Sequence, residues 1–185
     1  MRKVIIIFLF IVASFSISFK TDITALAAGE GACKSDKTGF AEFDGLSNLD
    51  LMARLIYSEA QGEPMDGKKA IAKLVINRAN QHSSEFGGDT VREVILNPVG
   101  GFLGMKTSYA RCPDTSNAAW KNSLSAATDP TSVYIGTCLW FNTNDVFKQQ
   151  LSSDGTKYKF PGTSTYKKVT EKYVIGQHTF FNVAK

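Results

Sequence analysis

The chain has 185 residues, 43% of them hydrophobic and 21% charged, enough apolar material for one domain with a proper core. Its formal charge of +4 is too weak a basic excess to argue for nucleic acid. Two histidines and three cysteines without paired short spacing do not make a zinc site, so no metal and no cofactor are expected.

Met1-Arg2-Lys3 is a basic head, Val4 to Phe19 is almost wholly apolar, and Ala25-Leu26-Ala27 closes the stretch with small residues. Residues 1–27 therefore read as a secretory signal peptide, too short in its apolar run for a spanning helix. Export across the membrane is therefore expected. Residues 28–47 are rich in Gly, Ser and Lys without helical period and read as a flexible tail. Residues 48–185 remain as a single domain. Export permits a disulfide, and Cys112 with Cys138 is the expected pair, because Cys33 falls in the tail.

Leu49 to Ala60 reads as a helix. Leu51, Met52, Leu55 and Ile56 fall on one apolar arc, Glu59 lands within that arc, and Asp50, Arg54 and Tyr57 point the other way. Burial disfavours the charged form of a carboxylate, so Glu59 is expected to titrate above the ordinary glutamate range, as a general acid requires. Gln61-Gly62-Glu63-Pro64 ends the helix, since the residue before Pro is pushed out of the helical region. A second helix is predicted from Asp66 to Asn80, with Ala70, Ile71, Leu74, Val75 and Arg78 at helical spacing.

Thr90-Val91-Arg92-Glu93 has the form of a capping box opening a short helix that Asn97-Pro98 ends. Val99 to Cys112 reads as a long connection carrying Phe102, Met105 and Tyr109. Thr115 or Ser116 caps a further helix to about Ala127, with Trp120 in its core-facing row. Cys138 to Phe141 reads as a buried strand, and Asn144 to Tyr166 as a polar loop with a helical turn over Val146 to Leu151. Lys167 to Phe181 alternates as one or two strands and would place Gly176, His178 and Phe180 on one face. Helices first and a small sheet last give an α+β order.

GxSxG, phosphate-loop and metal-ligand signatures are absent from the sequence. Three readings stay open on the residues alone: acid catalysis by Glu59, a Cys/His peptidase using Cys112 or Cys138 with His178, and a binding module without catalysis. Cys112 precedes Pro113 and Cys138 lies among Leu139, Trp140 and Phe141, neither an electropositive setting that lowers a thiol pKa.

The blocks Ala53-Arg54, Ser58-Glu59-Ala60, Gly62-Glu63-Pro64, Gly67, Ala70, Ala72 and Val75-Ile76-Asn77-Arg78 resemble the SleB and CwlJ cell-wall hydrolases, the spore-cortex-lytic enzymes. Later matches follow in order: Thr90-Val91, Val94-Ile95, Pro98, Phe102, Ala126-Ala127, Asp129-Pro130-Thr131, Phe141-Asn142 and Ile175-Gly176-Gln177-His178-Thr179-Phe180. The resemblance runs from Leu49 to Phe181. It implies a lysozyme-like, lytic-transglycosylase-like helical lobe with a small C-terminal antiparallel sheet, and a muramidase of the lytic transglycosylase type. Peptidoglycan glycan strands are the implied partner, and no nucleic acid. In that family the glutamate matching Glu59 is the catalytic acid, and one carboxylate suffices. Tyr57, Glu63, Asn77, Phe102, Phe141, Asn142 and His178 are the expected substrate contacts. Simple hydrolysis is the alternative, with Glu63 or Asp66 as second carboxylate. A monomer is expected, and the sequence names no accessory spore or wall protein.

Overall fold

Ser47 opens the first long helix, α1 (Asn48–Ala60), its side chain accepting the Asp50 amide. The computed structural model describes residues 29–185, so the signal segment read at 1–27 lies outside the described residues. Leu51, Leu55 and Ile56 of α1 are fully buried, each contributing roughly 1.5–3 kcal/mol through the hydrophobic effect. The opposite face, carrying Asp50, Arg54 and Tyr57, is buried as well. Asp50 and Arg54 form a buried ion pair at 2.9 Å. Arg54 also donates to the carbonyls of Ala32 (2.7 Å), Ala110 (2.8 Å) and Arg111 (3.1 Å). A buried guanidinium is tolerable only with such a full set of acceptors.

The second helix, α2 (Met65–Ala79), begins after Pro64, a residue suited to a helix start because it lacks the amide hydrogen that would go unpaired there. Lys68 on its first turn is nearly fully buried and reaches back to the Ala60 and Gln61 carbonyls that end α1. A cation at a helix C-terminus is the favourable arrangement. Burial lowers the Lys68 pKa, with Glu63 opposing the shift.

The capping box appears as expected at α3 (Val91–Ile95), where Thr90 and Glu93 bond reciprocally. The connection that follows contains a 3-10 turn over Leu103–Lys106 and α4 (Ser108–Arg111). The next helix, α5 (Ala118–Thr128), is capped by Asn117 rather than by Thr115 or Ser116. Asp114 takes the Ser116 amide and hydroxyl for its own turn instead, a local competition open to Asp beside Ser. Trp120 is buried on the α1 side, edge-on to Tyr57 at 5.8 Å.

The sheet has four antiparallel strands in the order β1-β4-β3-β2, where β1 is Trp140–Thr143, β2 Lys157–Lys159, β3 Tyr166–Ile175 and β4 His178–Val183. β1 starts two residues later than the sequence predicts. α6 (Asn144–Gln149) replaces the expected helical turn, and β2 arises in a segment read as loop. Gly176, at φ +59, makes the β3–β4 turn instead of sharing a strand face with His178, whereas His178 and Phe180 are both buried. Phe141 and Phe180 join the sheet to the helical core, giving a helical lobe backed by a small antiparallel sheet.

Residues 31–47 are not the flexible tail that their composition suggests. Cys33 is bonded to Cys112, the Gly31 amide donates to Asp50 Oδ1 at 3.1 Å, and the Lys34 amide donates to the Arg111 carbonyl at 2.8 Å. Phe40 and Phe43 enter the main core. Three apolar or crosslinking side chains thus outweigh the polar composition. The Cys112–Cys138 pairing is corrected by the same observation, since Cys138 is a free buried thiol.

Candidate active site

Glu59 sits in the last turn of α1, and its Oε1 accepts the Gly104 amide at 2.5 Å. Gly104 lies in the 3-10 turn, which presses so close that a Cβ there would fall 2.7 Å from Glu59 Oε1 and 2.5 Å from Ser58 Oγ. Only glycine permits this approach of backbone to carboxylate. Among the described residues no group donates to Oε2, which is left to carry a proton. Burial raises the Glu59 pKa above the ordinary glutamate value, while the Gly104 amide and the Arg78 charge oppose it.

Arg78, on the last turn of α2, donates from Nε to the Leu139 carbonyl at 2.8 Å. Its guanidinium lies over the rings of Phe102 (4.7 Å) and Phe86 (5.1 Å), an arrangement that favours the cation electrostatically. Burial pushes its pKa down to about 10, against the pull of Glu59 and Glu85, so it stays charged at neutral pH.

Glu59 and Arg78 line a cleft of about 310 Å³ with Gly101, Phe102, Leu103, Phe141, Asn142, Thr143 and His178. Four of the seven residues expected around the acid are therefore gathered beside it: Phe102, Phe141, Asn142 and His178. Phe141 stacks on Phe180 at 5.9 Å and meets the His178 ring edge-on at 5.3 Å. Asn142 donates to the Tyr158 hydroxyl at 2.6 Å, which fixes its amide. A hollow of similar volume near the N-terminal segment contains Asp36 and Glu42, but Arg111 lies 3.2 Å from the first and 3.6 Å from the second.

The other three expected contacts lie elsewhere. Tyr57, two residues before Glu59 and so on the far side of α1, packs on Trp120 and accepts a bond from Gln61 Nε2. Asn77 holds the Gly136 and Cys138 carbonyls at 3.0 and 3.1 Å. Glu63 accepts the Gln177 amide at 3.0 Å, away from the cleft lining. Arg78, Gly104 and Thr143 join the site without having been among the expected contacts. A backbone donor such as the Gly104 amide leaves no side-chain trace in sequence, although Arg78 at the end of a predicted helix could have been placed one turn from the cleft.

The thiol chemistry left open by the sequence has no seat here. Cys112 is spent in the disulfide. Cys138 is buried, and burial pushes its thiol up to about 12, far from thiolate reactivity at neutral pH. Among the described residues no cluster of three or more His, Cys, Asp or Glu is placed to hold a metal ion.

The profile of the cell wall hydrolase family matches residues 62–181. The chain belongs to the cell wall hydrolase family. The matched range brings in Arg78, the 3-10 turn and the whole sheet side of the cleft, and it opens just after Glu59. The chain is similar to the spore cortex-lytic enzyme of Oceanobacillus iheyensis, 42% identical over 52 residues, or 28% of this chain and 18% of that protein. It is similar to the spore cortex-lytic enzyme of Bacillus subtilis, 30% identical over 102 residues, or 41% of this chain and 33% of that protein. The chain thus spans a third or less of the length of these two relatives. Among solved structures, the catalytic domain of the germination-specific lytic transglycosylase SleB from Bacillus anthracis is 23% identical with a TM-score of 0.47, covering 75% of this chain and 98% of that one.

Proposed function

We propose that this member of the cell wall hydrolase family cleaves peptidoglycan glycan strands as a lytic transglycosylase, with Glu59 as its acid and base. The observation that carries the reading is that, among the described residues, Glu59 is the one carboxylate lining the cleft. Protonated Glu59 gives its proton to the glycosidic oxygen, and the bond from that oxygen to the muramoyl anomeric carbon breaks. The resulting carboxylate takes the proton of the muramoyl 6-hydroxyl as O6 closes on the same carbon. The product is an anhydro end, and Glu59 regains its proton. The Gly104 amide keeps Oε1 in place through both steps, and the Arg78 charge favours the transient carboxylate.

Hydrolysis would call for a second carboxyl group about 5–5.5 Å away as nucleophile, or about 6.5–9.5 Å away with room for a water. Glu63 and Asp66 are outside the cleft lining. Export by residues 1–27 would deliver the enzyme to the wall or the spore envelope. Digestion of purified spore-cortex and vegetative peptidoglycan tests the reading: soluble glycan fragments with peptide stems intact are expected from at least one, and release of peptides from uncut glycan would overturn it.

The acid role also sets a pH dependence. Glu59 must hold its proton in the free enzyme, so kcat/KM falls as pH rises through its raised pKa. Arg78→Gln removes the cation that holds this pKa down, and the alkaline limb of the profile is expected to move to higher pH. An unmoved limb, or one shifted downward, would remove Glu59 as the group that limits activity on that side.

A further inference from the structure

Two stretches far apart in sequence, Gly62-Glu63-Pro64 and Gly176-Gln177-His178, meet beneath the cleft. The Glu63 carboxylate accepts the Gln177 amide through both oxygens, at 3.0 and 3.3 Å. It is confined by two glycines: a Cβ on Gly176 would fall 1.9 Å from Oε2, and one on Gly67 would fall 2.7 Å from it. His178 Nδ1 faces Glu63 Oε1 at 3.9 Å and is fully buried, with no hydrogen-bond partner among the described residues. The imidazole nevertheless lines the cleft, so the nitrogen left for a ligand is Nε2.

A buried nitrogen turned toward a carboxylate is better a donor than an acceptor, because two lone pairs facing each other repel. We propose that Glu63 is a positioning residue that holds the His178 proton on Nδ1, so that Nε2 presents a lone pair to the cleft and accepts a hydrogen bond from a glycan hydroxyl. The role given to Nε2 rests on the glycan-cleaving reading, whereas the tautomer does not. The site then has opposite polarities on its two walls, an acid at Glu59 and an acceptor at His178. Burial lowers the His178 pKa, with Glu63 opposing. Among the described residues the titratable groups around the imidazole are Glu63 from the α1–α2 turn, Lys68 of α2 beside Glu63, and Glu59 and Arg78 lining the same cleft. The neighbours from the sheet, Phe141 and Phe180, are uncharged.

The chain has two histidines, and His82 is exposed on the surface, so nitrogen-15 NMR of the imidazoles resolves both once His82→Gln has assigned them. The wild-type free protein at neutral pH is expected to show His178 protonated at Nδ1 and bare at Nε2. Glu63→Gln should shift population toward the Nε2-protonated form, lower the His178 pKa, and raise KM for solubilised glycan strands roughly fivefold to tenfold, the loss of about one hydrogen bond. A wild-type His178 protonated at Nε2, or a tautomer and pKa unmoved in a folded Glu63→Gln variant, would overturn the proposal whatever the activity. Nδ1 protonation in a protein that leaves glycan uncut would keep Glu63 as the positioning residue and overturn the glycan contact alone.

Discussion

Glu59→Gln is expected to lower glycan cleavage by roughly 100- to 10,000-fold, the range of general acid–base catalysis, while the protein stays folded. Gln keeps the shape and the acceptor for the Gly104 amide but has no carboxyl proton to give. Folding should not suffer, since a neutral amide is easier to bury than the carboxylate whose desolvation raises the Glu59 pKa. The check is turnover on solubilised glycan beside a thermal melt. A folded Gln variant with near-normal turnover would remove Glu59 from the mechanism.

The second large effect falls on stability. Cys33 and Cys112 are 79 residues apart, and closing a loop of that length contributes roughly 4.5 kcal/mol on the chain-entropy model. Cys33→Ser, or reduction of the native protein, is expected to lower the melting temperature by on the order of 10 °C for a domain of this size. The loss has a structural route: residues 31–47 would keep their noncovalent ties alone, such as the Gly31 amide on Asp50, Arg54 on the Ala32 carbonyl, the Arg111 ion pairs and the burial of Phe40 and Phe43. Cys138→Ser should leave the response to reductant intact. A melt insensitive to reductant in the wild type but altered by Cys138→Ser would contradict the pairing.

The helical order and the placement of Glu59 on a buried arc were legible from sequence because they rest on periodicity and caps, which are local. Glu59 falls on the apolar arc of α1 through spacing alone, and the capping box at Thr90 to Glu93 is a complete local signal. The burial of Asp50, Arg54 and Tyr57 was not legible, because the surfaces that cover them come from the N-terminal segment, α4 and α5. The same blind spot produced the wrong disulfide: once residues 28–47 read as a tail, Cys33 had no reason to be near Cys112.

Phe102, Phe141, Asn142 and His178, all named from sequence, line the cleft, whereas the residue that most constrains the Glu59 carboxylate was not named. Gly104 acts through its amide and its missing Cβ, and neither leaves a side-chain pattern to read. The place of Glu63 was hidden for the opposite reason. A carboxylate four residues from the acid invites a catalytic role, yet its bonds to Gln177 tie two loops together.

The most direct test of a single-carboxylate mechanism is the chemistry of the cut end, read by mass spectrometry after digestion in water enriched in heavy oxygen. Lytic transglycosylation predicts muramoyl ends that are one water lighter than hydrolysed ends and carry no heavy oxygen, because O6 of the sugar itself closes on the anomeric carbon. Reducing muramoyl ends carrying one heavy oxygen each as the main product would contradict the account and require a second acid–base group in the cleft.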